Sequence, residues 1–138
     1  MHKILEEIKK ELKALKPYMV EYDCIHFRVE AVLERSPEIK ENDRIGLKLS
    51  IYNNVADFGH ESMPYDLNFK WYLPEGFSVE GRKTALLEHW TTHNREAKAT
   101  AEFTLCSGEK IESENRLVLE ITVRDRATSL YIPIILIG

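Results

Sequence analysis

From Tyr22 onward, apolar residues recur with a period of two that stays on odd-numbered positions for most of the chain, and this pattern constrains the chain more than any other feature. Successive side chains of a strand point to opposite faces, so a sustained period of two describes strands that bury one side of a sheet. Ile25, Phe27, Val29, Ala31 and Leu33 mark a first strand, alternating with Cys24, His26, Arg28 and Glu30. Ile45, Leu47, Leu49 and Ile51 mark a second, and Leu67, Phe69, Trp71 and Leu73 a third. A fourth runs from Phe77 and Val79 past Gly81 to the apolar patch at residues 85–87. Ala99, Ala101, Phe103 and Leu105 form a fifth, and Leu117, Leu119, Ile121 and Val123 a sixth. The seventh, residues 128–137, is apolar on both phases. Turn residues separate them, notably Pro37, Asn42 and Asp43, then Pro74-Glu75-Gly76, then Ser107-Gly108.

Seven short strands with turn signals between them predict an all-β fold, a seven-stranded immunoglobulin-like β-sandwich. In the common order, strands one, two, five and four make one sheet and strands three, six and seven the other, with Trp71 packed between them. Ahead of the sandwich, Ile4, Leu5, Ile8, Leu12 and Leu15 follow a helical spacing that Pro17 ends. The chain therefore divides into an N-terminal α-helix or connector, residues 1–19, and a sandwich domain, residues 20–138. A helix this short is marginal alone and needs a surface to dock on.

A net charge of -4 over 138 residues disfavours a nucleic-acid partner, which calls for a clustered basic excess. No apolar run approaches the roughly 20 residues that span a bilayer, and the charged N-terminus lacks the apolar core of a signal peptide. No membrane association and a cytoplasmic location are expected. Cys24 and Cys106 fall on strands one and five, two strand spacings or about 9 to 10 Å apart. That exceeds the roughly 7 Å reach of a disulfide, so both should be free thiols.

The segment Glu88-His89-Trp90-Thr91-Thr92-His93 raises the question of a metal site. A zinc protease needs its glutamate between the two histidines, and here Glu88 precedes both. In extended chain, residues four apart lie about 13 Å from one another, too far to share an ion. His89 and His93 are expected not to ligate a common metal. His60, with Asp57 and Glu61, lies in a polar loop that reads as solvated. No nucleophile elbow or phosphate-cradling glycine loop occurs, so the chain shows no catalytic constellation, and no cofactor is expected.

The run Trp71-Tyr72-Leu73-Pro74-Glu75-Gly76-Phe77-Ser78-Val79-Glu80-Gly81 resembles the Leu-Pro-Glu-Gly-aromatic signature of accessory immunoglobulin-like domains attached to bacterial enzymes. With its closing run from Leu130 to Gly138, the chain is similar over residues 20–138 to the C-terminal sandwich that follows the catalytic domain in some bacterial ADP-ribosylglycohydrolases. The resemblance implies a parent enzyme with a helical, magnesium-dependent catalytic domain. None of that domain's catalytic residues falls in this chain.

The leading expectation is a non-catalytic accessory or interaction domain that docks on a neighbouring catalytic domain or forms a homodimer. The outward positions carry it. Those of strands one, two, five and four are polar, whereas Tyr72, Val118, Tyr131, Ile135 and Ile137 make the other outer face apolar. The alternative is a carbohydrate or nucleotide-sugar binding module that stacks ligands on the loop aromatics Phe58, Tyr65 and Trp90. A third reading, a small metallo-enzyme, would use His60, His89 and His93.

Overall fold

The computed structural model describes residues 19–23, 27–53, 65–87, 98–123 and 128–138. Their strands are β1 (Met19–Asp23), β2 (Phe27–Leu33), β3 (Arg44–Asn53), β4 (Tyr65–Tyr72), β5 (Ser78–Gly81), β6 (Thr84–Leu87), β7 (Lys98–Cys106), β8 (Glu114–Val123) and β9 (Thr128–Ile137). They form two antiparallel sheets, in the orders β1-β2-β3-β7-β5 and β6-β4-β8-β9. The molecule is a β-sandwich. The expected orders reappear inside it as β2-β3-β7-β5 and β4-β8-β9, each widened by one strand. No helix among the described residues is long and apolar enough to cross a membrane. The sequence-predicted helix lies outside the described residues.

The core is the odd phase in β2 to β8 and the even phase in β9, where Leu130, Ile132, Ile134 and Leu136 are buried. Ile45, Leu47, Leu49 and Ile51 of β3, and Leu117, Leu119, Ile121 and Val123 of β8, are all buried. Burying each side chain of this size contributes about 1.5 to 3 kcal/mol, so the alternation fixes which face of each strand turns inward. Across the sandwich, the Phe103 ring of β7 meets Phe69 edge-on at 5.5 Å and Trp71 at 5.3 Å. Trp71 packs against the core yet stays partly exposed, and its buried Nε1 has no hydrogen-bond partner. It is therefore less enclosed than a core tryptophan.

Two expected strands are redrawn, so nine strands stand among the described residues where seven were expected in the chain. The stretch read as strand one is β2 preceded by a separate antiparallel β1, which pairs with it from Met19↔Val32 to Asp23↔Arg28. Even-numbered Val20 and Tyr22 stand opposite odd-numbered Ala31 and Val29, so the phase shifts by one between β1 and β2, a shift that a strand read from Tyr22 onward does not capture. The expected strand four is two strands in different sheets. β5 pairs with β7 in the first sheet, and β6 pairs with β4 in the second. Between them, Lys83 O accepts a bond from Phe69 N at 2.8 Å. Gly81 permits the crossing: a Cβ there would come within 2.5 Å of Phe103 Cδ1 and 2.8 Å of Glu102 O.

One end of the sandwich is closed by the segment 34–43. Asp43 accepts from the backbone N–H of Lys40 (3.1 Å) and of Arg44 (2.8 Å) and from Arg35 (3.0 Å). These bonds, the Lys40 N–H first, hold its carboxyl below the usual range. Ser107 Oγ ties the segment to β7 through Lys40 O (2.6 Å) and Asp43 N (2.9 Å). The segment also runs beside the end of β9: Ile137 N donates to Pro37 O (2.8 Å) and Ile39 N donates to Ile137 O (2.9 Å).

Candidate functional site: the outer face of the second sheet

β8 lies between β4 and β9, and its registers set the outer surface row by row. Lys70, Glu120 and Tyr131 share one row, Tyr72, Val118 and Pro133 the next, and Arg116 and Ile135 the one after. Residues directly opposite, and those one diagonal step away, are within reach of one another. Both tyrosines use this. Tyr72 donates its hydroxyl to Glu120 Oε1 at 2.7 Å, and Tyr131 donates to Glu120 Oε2 at 3.1 Å. The Tyr72 hydroxyl, and secondarily that of Tyr131, holds the Glu120 carboxyl below its usual range. The same carboxylate, first through its hydrogen bond and then its charge, pushes the Tyr131 phenol up. Lys70 Nζ sits 5.1 Å from the centre of the Tyr72 ring.

The outcome is a pair of aromatic rings whose polar ends are engaged and whose surfaces remain open: Tyr72 is 45% and Tyr131 54% exposed. Val118, Pro133 and Ile135 extend the apolar surface between and below them, and Lys70, Glu120 and Arg116 border it. Exposed aromatics, an apolar centre and a polar rim are the anatomy of a protein interface. Fixing the rings in advance lowers the ordering cost of binding.

Of the residues predicted for this face, Tyr72, Val118, Tyr131 and Ile135 lie together on it. Ile137 does not. It is 1% exposed, at the point where residues 37–39 bridge the end of β9. Phase counting missed Glu120 as the shared acceptor and missed Pro133. The signal for Pro133 was available: a proline inside a strand belongs on an edge. Ile137 N–H points away from β8, toward Pro37, and alternate residues share that direction. The nitrogen of Pro133 therefore faces the side of β9 away from β8, where no strand among the described residues pairs with it, so it loses no ladder bond and presents no donor to a stray strand.

Most of the remaining sequence candidates, Phe58, Trp90, His60, His89 and His93, lie outside the described residues, as does Cys24. Tyr65 opens β4 opposite Leu87. Cys106 is a free thiol whose Sγ reaches Thr104 O at 3.8 Å. Among the described residues, no group of three His, Cys, Asp or Glu side chains could hold a metal ion. The outer face of the first sheet has an open depression of about 680 Å³ lined by Val32, Glu34, Gly46, Lys48, Glu80 and Glu102, among others. Two of its carboxylates are occupied: Glu34 accepts from Gly46 N at 2.7 Å, and Glu80 pairs with Arg44 at 2.7 Å.

No family model matches this chain, and no curated protein matches it. Among solved structures, the chain is similar to the FixG-related protein from Vibrio parahaemolyticus, with a TM-score of 0.59 and 9% identity over 81% of this chain and 95% of that one. It is similar more loosely to the GAE domain of GGA2p from Saccharomyces cerevisiae, with a TM-score of 0.43 and 12% identity over 88% and 97% of the two chains. The yeast GGA1_GAE domain-P21 gives 0.47 and 10% over 87% and 98%. At these identities the first likeness shows a small β-sandwich fold and nothing of function, and the two GAE domains superpose too loosely to carry an argument. Nothing in these comparisons links the chain to ADP-ribosylglycohydrolases.

Proposed function

We propose that this sandwich is a non-catalytic docking domain that associates, through the outer face of β4, β8 and β9, with a neighbouring catalytic domain or with a second copy. One observation carries it: the row Tyr72–Val118–Pro133, flanked by Tyr131 and Ile135, joins exposed rings to an apolar centre, and Glu120 takes up both phenol hydroxyls. The blunted edge of β9 supports a face-on contact over strand addition. The sheet orders β2-β3-β7-β5 and β4-β8-β9 support an immunoglobulin-type sandwich. The Leu73-Pro74-Glu75-Gly76-Phe77 run supports an accessory domain of the kind attached to ADP-ribosylglycohydrolase-like enzymes.

Photo-crosslinking in cells of the source organism tests the docking role. A benzophenone amino acid at position 131 or 133 should give discrete adducts, and one at position 48 or 100 on the opposite face should not. Adducts of equal yield from both faces, or none from positions 131 and 133, would sink the proposal.

A further inference from the structure

The face that serves for docking is self-complementary about its central row, and we infer that its occupant is a second copy of this chain, packed face to face on a two-fold axis along Tyr72–Val118–Pro133. The inference rests on the docking role proposed above and names the partner. On β8, the residues two positions either side of Val118 are Glu120 and Arg116, opposite in charge. On β9, the residues two positions either side of Pro133 are Tyr131 and Ile135, an aromatic and an aliphatic. A two-fold axis lying in the face along that row turns each strand end for end. It sets Glu120 of each copy against the other's Arg116, and Tyr131 against the other's Ile135. Val118, Tyr72 and Pro133 meet their own counterparts on the axis. This is the isologous arrangement of a cyclic dimer, in which every off-axis contact occurs twice.

Three features favour it. Arg116 is 65% exposed and reaches Glu114 at 3.9 Å, so its guanidinium can swing to a partner carboxylate. Glu120 is held ionised by the tyrosine hydroxyls, so the matching charge stands ready. Stacked sheets cross at about 30° because each is twisted, which keeps rows in register near the axis and lets them diverge away from it. The matched pairs lie within two residues of the axis, where that divergence is smallest.

The test uses the full 138-residue chain in sedimentation equilibrium, with near-ultraviolet circular dichroism to confirm folding. The unmutated chain should dimerise, and more weakly as salt is raised. Arg116→Glu sets like charges opposite each other at both off-axis contacts and should weaken self-association by about tenfold or more, as does Glu120→Arg. Mixed together, these two variants should form a 1:1 heterodimer, because every charge then meets its opposite. If Glu120→Arg fails to fold, Glu120→Gln keeps an acceptor for the tyrosines; it should weaken the dimer and flatten its salt dependence. A monomeric unmutated chain at several hundred micromolar, undiminished dimer in Arg116→Glu, or no heterodimer on mixing two folded variants would each overturn the inference. Crosslinks from position 131 to a different protein, together with a monomeric chain, would overturn the second copy while leaving the docking role standing.

Discussion

The two outer faces of the sandwich stand on the same kind of buried alternation, yet they dispose of their polar groups in opposite ways. On the first sheet, charges are answered by neighbours in the same plane. Arg28 pairs with Glu30 at 2.9 Å and lies 5.9 Å from the centre of the Tyr52 ring, while Arg44 pairs with Glu80. On the second sheet, the polar atoms of Tyr72 and Tyr131 turn toward Glu120 and their rings turn outward. Inward residues answer to the core and are nearly interchangeable between the sheets. Outward residues answer to whatever the molecule meets, so the difference between the faces is where functional information resides.

The sharpest check opposes the two sides of β8. Ile121→Ala, on the buried side, should cost about 2 to 5 kcal/mol in urea denaturation. Val118→Ala, on the outer side, should cost less than about 1 kcal/mol in the Arg116→Glu background at low protein concentration, where self-association is weakened. Equal costs would mean that Val118 faces the core and the comparison is misdrawn.

Next in size is a contrast between the faces themselves. Tyr131→Asp with Ile135→Lys should weaken self-association by about thirtyfold or more, the loss of an interface anchor. Thr100→Asp with Glu102→Lys, on the first sheet, should change it by less than about threefold. Sedimentation velocity distinguishes them, and a larger effect from the first-sheet pair would reverse the assignment. A smaller effect concerns the edge beside the second face. Pro133→Val returns an N–H to the side of β9 away from β8 and should increase light scattering on heating, with little change in folding stability at low temperature.

The smallest expected effect is a titration. Because Glu120 raises the Tyr131 phenol, Tyr131 should ionise above the ordinary tyrosine range in ultraviolet titration and move back toward it in Glu120→Gln. The signs for stability are opposite at the two ends of the scale. The raised Tyr131 value contributes stability below its unfolded pKa, which is lost as pH rises through the folded one. The lowered Glu120 value contributes above its unfolded pKa, and that is lost as pH falls through the folded one. A Tyr131 transition unmoved by Glu120→Gln would show that the hydroxyl is not pinned in solution.

Much of the fold was legible because burial on one side of a strand imposes a period of two. Every odd-numbered residue from Ile45 to Ile51 and from Leu117 to Val123 is buried, as their phase implied. Tyr72 and Val118 were legible as outward for the same reason, whereas Tyr131 and Ile135 lie on a strand whose two phases are both apolar, so the period did not separate its faces. Events that leave the phase unchanged were not legible. The passage from β5 to β6 keeps it, since odd positions still point inward although the sheet has changed. The reversal before β2 shifts it by one, but only Val20 and Tyr22 of β1 carry that signal, too few to set a new period. Ile137 was misplaced because it sits where the segment from Pro37 to Ile39, about 100 positions away in sequence, bridges the end of β9. The pairing of Glu120 with two tyrosines depends on register between strands, which single-strand patterns do not encode.

The passage between sheets at Gly81 has a mechanical consequence. Gly81 is paired with Phe103 in one sheet, and Lys83, two residues later, is hydrogen-bonded to Phe69 in the other. Two Cα steps of about 3.8 Å reach at most about 7.6 Å, while stacked sheets lie about 10 Å apart. The link therefore has no slack, and it draws the two layers together along that border. A slip of one sheet past the other by a single pleat repeat, about 7 Å, would have to break either the β5–β7 or the β4–β6 ladder. The sandwich thus resists shear at this side through a covalent tether as well as through its core, and amide protons of β5 and β6 should exchange together although they belong to different layers.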